Sequence, residues 1–410
     1  MSKKSSFICP FCFDEKKLSA VQFRCTNRRC ADVDDVEITV YESGDINMPK
    51  QGKICFTSPS KNPFSVPKQA DCPSCKQKTY KHVCPSCHNA LPESTLSGRD
   101  MIISVVGSRD TGKSHFISVL INELIERISV KFEGALVGFD DTMKRYKAGP
   151  YQRLYLSNQA LELTQTSLLN TENDAYRPYI FTLSVRKKKG LFGMGKEIEC
   201  FTFVFFDTAG EDLNELDTMS TVNKYICKSA GIIFLLDPMK IPGIANQVDA
   251  DVLAGASTVH YAQATDSDDI MSRVSTLIRN DKNMSSTQKI DIPVAAVFSK
   301  FDAIESLIPP GTTIAEPSAH CSEKAFLLAD GHNVNEEIKG LLNQWGAEGA
   351  GSFMSQLEVN YKKYSFFTVS ALGLNNNPSA DRRIKRPMPH RIEDPLLWIL
   401  KENGVIKAKK

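Results

Sequence analysis

The sequence predicts an α/β protein in which a mostly parallel sheet covered by helices follows a small cysteine-rich N-terminal module. From Arg99 onward, short apolar runs alternate with longer helical stretches, which is typical of parallel strands joined by helices. Close cysteine pairs occur only before residue 90, and 410 residues suffice for two or three domains. We therefore expect a module over residues 1–98 and an enlarged α/β domain over residues 99–410.

The composition is that of a soluble globular protein. Hydrophobic residues make up 41% and charged residues 24%, and the net charge of +2 gives no overall attraction to nucleic acid or anionic lipid. The longest apolar runs, such as GIIFLL and FTFVFF, are far shorter than the ~20 residues of a membrane helix. The start, MSKKSSFICP, lacks the apolar segment of a signal peptide. We expect a cytoplasmic protein whose reduced cysteines are metal ligands or buried thiols.

Eight of the twelve cysteines form four close pairs. They are Cys9 and Cys12, Cys25 and Cys30, Cys72 and Cys75, and Cys84 and Cys87. Two thiolates on a tight turn can hold one side of a tetrahedral Zn²⁺, and a second pair completes the coordination shell. We predict two zinc ribbons with the pairs joined in chain order, the first with the second and the third with the fourth. His82 and His88 lie beside the later pairs, but four thiolates already saturate each site.

The role of the module is open at this point. Zinc can simply hold together a segment too small to build its own core. Residues 1–99 contain fifteen Lys or Arg and ten Asp or Glu, and two four-thiolate sites would lower the net charge further. Nucleic acid is therefore possible but not favoured as a ligand. Residues 43–70 are predicted to be irregular apart from a strand over 53–56.

The first strand of the α/β domain leads into a glycine-rich loop. MIISVVG (101–107) continues into GSRDTGKS and then into the apolar-periodic helix HFISVLINELIERI. Strand, G-x-x-x-x-G-K-S and helix in this order predict a phosphate-binding loop. Lys113 is expected to reach the β- and γ-phosphates, and Ser114 to bind Mg²⁺. The predicted nucleotide-binding residues here are Gly107, Ser108, Arg109, Asp110, Thr111, Gly112, Lys113, Ser114 and His115.

A second acidic motif follows a later apolar run. In ECFTFVFFDTAGED (199–212), Asp207 ends the run and is expected to hold Mg²⁺ through water. The amide of Gly210 can meet the γ-phosphate and sense its loss, which would make this segment a switch.

Two further strands end in polar residues. PVAAVFSKFDAI (293–304) contains Ser299, Lys300 and Asp302, and SFFTVSALG (365–373) contains Ser370, Ala371 and Leu372. The order of the four motifs over residues 101–373 resembles that of the translation-factor-related (TRAFAC) class of P-loop GTPases. The resemblance implies that Asp302 pairs with guanine, that the Lys300 stem covers the ring, and that the Ala371 amide meets O6. Ser299 stands where Asn or Thr is usual, which would weaken guanine affinity without removing specificity.

The same resemblance implies GTP hydrolysis that is slow without a partner. Many such enzymes orient water with a Gln after the second motif, whereas this chain has Glu211, which could act as a base. Arg109 could stabilise charge on the transferred phosphoryl group or point to solvent, and Asp110 aligns with an Asn or Asp that some relatives use near the phosphates. A switch threonine for Mg²⁺ is expected at Thr164, in preference to Thr166. The predicted catalytic residues are Lys113, Glu211 and Thr164.

The α/β domain is much longer than a minimal GTPase domain. The additional residues fall in 131–178, 238–290 and 303–364, where stretches such as TDSDD (265–269) look like exposed loops. A hairpin with a basic and apolar tip over 186–196 could dock on a partner or an anionic surface, or remain solvated. The ending IEDPLLWILKEN predicts a helix with Trp398 in the core.

The cysteine-rich module, the enlarged domain and the ending EDPLLWIL together resemble the bacterial double-GTPase (DO-GTPase) family of multi-component, defence-type conflict systems. The resemblance implies a GTP-hydrolysing switch whose zinc module contacts partner proteins, with GTP or GDP, Mg²⁺ and two Zn²⁺ as cofactors. One alternative is a nucleotide-sensing scaffold with negligible hydrolysis, and another is a nucleic-acid-binding regulator that uses the ribbons. Phosphate release separates the first two, and salt-dependent nucleic-acid binding would identify the third.

Overall fold

A computed structural model gives the fold of most of the chain. The described residues are 4–43, 47–57, 62–162, 177–189, 195–207, 220–248, 267–345, 350–374, 376, 378–379 and 381–410. A cysteine-rich region of short strands precedes a region built around one large sheet. The predicted α/β class with a cysteine-rich N-terminal module is confirmed.

Short strands and two helices form the N-terminal module. They are β1 (Ser6–Ile8), β2 (Glu15–Lys17), β3 (Gln22–Arg24), β4 (Asp32–Asp35), α1 (Val36–Glu42), β5 (Lys50–Lys53), β6 (Cys55–Thr57), β7 (Ala70–Asp71), β8 (Lys78–Thr79), β9 (Lys81–Val83) and α2 (Glu93–Ser97). Strand β3 lies between β6 and β9, and the other strands form three hairpins, β1–β2, β4–β5 and β7–β8. The strand expected over 53–56 is correct in part: Lys53 ends β5 and Cys55 begins β6, and the chain divides at Ile54 because β5 pairs with β4 while β6 pairs with β3.

A seven-stranded sheet forms the centre of the rest of the chain. The remaining strands are β10 (Arg99–Gly107), β11 (Gly134–Gly138), β12 (Tyr179–Lys189), β13 (Gly195–Phe205), β14 (Gly231–Leu236), β15 (Val294–Phe298), β16 (Phe326–Leu327), β17 (Tyr364–Thr368) and β18 (Ala408–Lys409). The order in the large sheet is β11-β12-β13-β10-β14-β15-β17. The last five run parallel, whereas β11 and β12 are antiparallel to their neighbours. The carboxyl ends of the five parallel strands therefore meet at one edge.

Helices alternate with these strands along the chain, and several of them pack against the large sheet. They are α3 (Lys113–Glu123), α4 (Ser129–Lys131), α5 (Thr142–Tyr146), α6 (Ser220–Cys227), α7 (Pro242–Ala245), α8 (Ser267–Asp281), α9 (Phe301–Ile304), α10 (His320–Glu323), α11 (Leu328–Trp345), α12 (Ala350–Asn360) and α13 (Asp394–Glu402). Helices α3 and α6 contact β10, α11 contacts β17, and α13 contacts β14 and β15. Every residue of β14 and β15 is buried, which explains why these strands are continuous apolar runs.

Two details of the helices bear on the sequence predictions. Trp398 of α13 is buried in the core, as predicted. The loop expected over TDSDD is wrong in part because α8 begins at Ser267, where two aspartates in its first turn favour a helix N-terminus. In the described part of the chain, no helix combines the length and the apolar character needed to cross a membrane.

Candidate functional site

The eight paired cysteines form two clusters. The outer cluster consists of Cys9, Cys12, Cys84 and Cys87, and the inner cluster of Cys25, Cys30, Cys72 and Cys75. The thiol sulfurs across the outer cluster are 3.7 and 3.8 Å apart, and those across the inner cluster are 3.6 and 4.0 Å apart. Four sulfurs at tetrahedral corners, each about 2.3 Å from a zinc ion, would lie about 3.8 Å from one another. Both clusters are therefore compatible with Zn²⁺.

The pairing predicted from chain order is wrong. The first cysteine pair joins the fourth, and the second joins the third. The cause is the antiparallel pairing of β3 with β9, in which Gln22 faces Val83 and Arg24 faces Lys81. Residues before β3 consequently meet residues after β9, and residues after β3 meet residues before β9. The two sites are nested along the chain.

Three of the four cysteine pairs share one backbone turn. In each, the N–H of the first cysteine bonds to the carbonyl five residues later, and the N–H four residues later bonds back to the carbonyl of the first cysteine, at 2.9 to 3.0 Å. The residue at that fourth position has positive φ; these residues are Phe13, Lys76 and His88. The turn brings both thiols of a pair to one side. The Cys25 pair is different, since the Cys25 N–H bonds instead to the Ile54 carbonyl.

The outer cluster packs against the large sheet. The ring of Phe13 lies 6.0 Å from the ring of Phe206 and 5.1 Å from that of Tyr225, between centroids. Beside it, Asp14 and Lys224 form an ion pair of 2.6 Å. The inner cluster belongs to a separate small group of buried residues. Only the outer site is thus part of the core shared with the sheet.

The loop over residues 107–114 begins at the carboxyl end of β10 and ends in α3. A Cβ added to Gly107 would lie 2.7 Å from the Leu235 carbonyl oxygen and 2.9 Å from the Thr111 hydroxyl, so neither neighbour leaves room for one. Gly112 has φ +82°, in the left-handed region that side chains disfavour. Both glycines of the sequence motif are therefore required by the local geometry.

Three polar side chains come together at the start of α3. Lys113 is buried, and its Nζ donates to the carbonyls of Gly107 and Ser108, each at 2.8 Å. Ser114 is hydrogen-bonded to the carboxylate of Asp207, which follows the neighbouring strand β13. Burial raises the pKa of Asp207, although the Ser114 hydrogen bond and the charge of Lys113 oppose the shift.

The residues after β15 are tied to the end of β14. The Ser299 hydroxyl donates to the Leu236 carbonyl at 3.0 Å, a short local bond of the kind expected for serine at this position. The Lys300 ammonium bonds to the carboxylate of Asp237 at 2.6 Å. Lys300 itself has φ +55°, so the chain turns sharply there.

Asp302 and the residues after β17 lie at the ends of adjacent parallel strands. Burial raises the pKa of Asp302, and its hydrogen bond with Ser370 opposes the shift. Ser370 is fully buried, and its hydroxyl accepts from the Gly373 N–H at 3.0 Å. Ala371 and Leu372 are partly buried in the turn that follows. The two predicted base-binding segments are therefore neighbours.

Other predicted residues of the loop have distinct surroundings. His115 accepts a hydrogen bond from the Leu161 N–H at 3.0 Å, and its pKa is lowered to about 4 by burial and by the charges of Arg382 and Lys300. It is therefore neutral at pH 7. Arg109 is exposed, and Asp110 has φ +63°.

Several predicted residues lie outside the described part of the chain. They are Thr164, Thr166, Gly210 and Glu211, together with residues 190–194 at the tip of the β12–β13 hairpin. The hairpin itself is present, with Tyr179 facing Phe205 and Lys189 facing Gly195.

Sequence reasoning missed Asp237 and Lys240, which follow β14. The Asp237 carboxylate holds Lys300, and the Lys240 ammonium bonds to the Ser108 hydroxyl at 3.1 Å and to the Arg109 carbonyl at 2.6 Å. Asp237 could have been found from its position in the sequence, because it directly follows an apolar strand just as Asp207 and Ser299 do.

Two further groups contain residue types that can bind metals. One is Asp35, Cys55 and His88, and the other is His320, Asp330 and Asp394. In each group an arginine already bonds to the carboxylates, Arg24 in the first and Arg391 in the second. A cation so close to the carboxylates disfavours a second one, and both groups are explained as structural ion-pair networks.

Comparison with known proteins gives one informative similarity. The chain is 26% identical over 347 residues to SaeC of Mycolicibacterium smegmatis, a protein provisionally assigned to ESX-1 scaffolding and assembly. The match covers 79% of this chain and 80% of that protein. No family model matches the chain.

Proposed function

We propose that the chain binds GTP or GDP with Mg²⁺ at the carboxyl edge of the sheet, hydrolyses GTP slowly, and acts as a switch among partner proteins. The proposal is carried by one observation: Lys113, Ser114 and Asp207 lie together at the end of β10 and β13, while Asp302 and Ser370 lie together at the end of β15 and β17. The residues proposed to bind phosphate and base thus lie at the same edge of the sheet, on either side of β14, which supports the proposal.

The surroundings of Asp207 fit a magnesium ion. Its Oδ1 atom is buried and has no hydrogen-bond partner among the described residues, while Ser114 bonds to the same carboxylate. An acceptor without a donor beside a hydroxyl suits a hard cation that prefers oxygen ligands. Ser114 and Asp207 would hold Mg²⁺, which when bound would neutralise phosphate charge.

The remaining roles, binding of the phosphates and of the guanine base, would fall to residues of the chain itself. Lys113 sits at the N-terminus of α3, where backbone N–H groups and its ammonium can bind phosphate oxygens. The Asp302 carboxylate would accept hydrogen bonds from the guanine edge, with the Lys300 stem over the ring and the Ala371 amide at O6. Glu211 and Thr164 remain proposals for water positioning and Mg²⁺ binding.

Partner binding is proposed for the zinc module. Among the described residues, the inner cluster belongs to a small buried group separate from the core around the sheet, and we propose that a partner protein binds this part of the module. Zinc thiolates and unpaired cysteines also suit a reducing compartment, so we propose that the protein works in the cytoplasm. The similarity to SaeC supports a role in a bacterial multi-protein system, as does the resemblance to double-GTPases.

A second candidate function is favoured by the same similarity. SaeC is provisionally assigned to scaffolding and assembly, so this chain could bind nucleotide and assemble partners with negligible hydrolysis. Single-turnover phosphate release separates the two: release that requires an intact Lys113 supports the GTPase, whereas bound GTP that persists supports the scaffold.

The test is a nucleotide-binding screen on the purified full chain, with GTP, GDP and ATP, in Mg²⁺ or in chelator. We expect GTP and GDP to bind and ATP not to compete. Lys113→Ala should abolish binding because it removes the charge facing the phosphates. Lys131→Ala is the matched control, since this lysine lies in α4 beyond the far end of α3 and should have no effect. Equal competition by ATP, or unaltered binding by Lys113→Ala, would overturn the proposal.

A further inference from the structure

We infer that Lys240 is a second cation of the phosphate site, which positions the loop and selects GTP over GDP. The inference rests on the proposed function. Lys240 was outside every sequence motif, and the contact appears only when the end of β14 is placed beside the end of β10.

The contact between Lys240 and the loop is held in place by hydrogen bonds on both sides. Lys240 closes a short helical turn, Pro238–Lys240, directly after β14. The turn is fixed by the Asp237 carboxylate, which accepts from the Met239 N–H at 3.0 Å and bonds to Lys300. The Lys240 ammonium then reaches the Ser108 hydroxyl at 3.1 Å and the Arg109 carbonyl at 2.6 Å.

Two ammonium groups consequently meet on one residue of the loop. Lys113 bonds to the carbonyl of Ser108, and Lys240 bonds to its hydroxyl. Both ammonium groups are within hydrogen-bond distance of Ser108, and like charges on one residue repel less when an anion lies nearby. Burial lowers the pKa of Lys240, and the charges of Lys300 and Arg109 lower it further, while those of Asp237 and Asp110 oppose the shift. A multiply charged phosphate chain would relieve this concentration of positive charge.

The expected role is electrostatic. In hydrolysis, a water oxygen bonds to the γ-phosphorus, the bond from phosphorus to the bridging oxygen breaks, and the electron pair leaves with GDP. The protons of the water pass to the phosphate product and to solvent. Lys240 gives up no proton in this step. The Lys240 ammonium would stabilise the negative charge on the γ-phosphate. Its two hydrogen bonds would hold Ser108 and Arg109 in place. Since GDP lacks the terminal phosphate, removing Lys240 should weaken GTP binding more than GDP binding.

The variants Lys240→Arg, Lys240→Gln and Lys240→Met separate charge from hydrogen bonding. Each is measured for GTP affinity, GDP affinity and single-turnover phosphate release. We expect Gln and Met to lower the ratio of GTP to GDP affinity by about tenfold and to slow release by about ten- to a hundredfold. Arg should stay close to wild type. Lys363→Met is the control, because Lys363 pairs with Glu402 at the opposite edge of the sheet.

The outcomes discriminate between the two levels of inference. A wild-type protein that binds no GTP would remove the proposed function itself. A wild type that binds and hydrolyses GTP, with Lys240→Gln equal to it in affinity ratio and rate, would overturn only the role of Lys240. A Lys240→Met protein that fails to fold would leave the decision to the Gln and Arg variants, which retain a hydrogen-bond donor.

Discussion

If each of the two nested cysteine clusters holds one zinc ion, pairs of cysteine substitutions should differ in how many ions they remove. Cys9 and Cys87 belong to the same outer cluster, although 78 residues separate them. Cys9 and Cys25 are neighbours in chain order but belong to different clusters. We therefore compare the double variants Cys9→Ser/Cys87→Ser and Cys9→Ser/Cys25→Ser.

The magnitude follows from the geometry and from zinc thermodynamics. A structural zinc site contributes about 10–16 kcal/mol of apparent binding free energy at pH 7, and loss of thiolates removes a large part of it. Wild type should carry two zinc ions. Substituting two cysteines of the outer cluster should leave the zinc of the inner cluster in place. Substituting one cysteine in each cluster should weaken zinc binding at both.

The assay is zinc content by elemental analysis of reduced, freshly purified protein after a mild chelator wash. We expect close to one zinc for Cys9→Ser/Cys87→Ser and close to none for Cys9→Ser/Cys25→Ser. The reverse pattern would show that the pairs join in chain order after all. Cys200→Ser/Cys227→Ser is the control, because both thiols lie outside the two clusters and should leave two zinc ions.

Two predictions concern the nucleotide. Asp302→Asn should shift preference from GTP toward xanthosine triphosphate, because an amide inverts part of the hydrogen-bond pattern, and competition binding with both nucleotides would show it. Glu211→Ala should slow phosphate release by ~10²–10⁴-fold with GTP affinity nearly unchanged if Glu211 positions the water. Unchanged release would mean that Glu211 is no base.

The sequence predicted local features well because short segments determine them. Gly107 and Gly112 are required by contacts and by φ within one strand-loop-helix unit, so a motif suffices to identify them. The eight cysteines of the two clusters were likewise evident from spacing alone. Their pairing was not, because it depends on the register of β3 against β9, which lies outside any local pattern.

Lys240 illustrates the same limit at the nucleotide edge. Its partners Ser108 and Arg109 are more than a hundred residues earlier in the chain, and the contact exists because β10 and β14 are parallel neighbours. A lone lysine after an apolar strand carries no spacing signal. Sequence motifs identify residues that act together with their neighbours in the chain. Residues that act together across different strands can be identified only once the order of the strands is known.

The topology also places the cysteine-rich module close to Asp207. Phe13, which shapes the turn of the outer cluster, is fully buried against Phe206, the residue immediately before Asp207. The backbone N–H of Phe206 bonds to the Tyr225 hydroxyl at 3.2 Å, and that hydroxyl donates to the Ile103 carbonyl of β10. We therefore expect a displacement of the module to affect Asp207 through the packed rings of Phe13 and Phe206.

Phe13→Leu tests this connection, since it reduces the ring contact while keeping an apolar side chain. We expect two zinc ions to remain bound and GTP affinity or phosphate release to change by about three- to tenfold, because a loss of about 1 kcal/mol of packing is expected for such a core change. Phe23→Leu is the matched control: Phe23 is equally buried but packs on Phe56 and His82 within the module. Equal effects of both substitutions on nucleotide binding would mean that the module stabilises the chain without acting on Asp207. A selective effect of Phe13→Leu would instead mean that the packing of the module on Phe206 influences the nucleotide site.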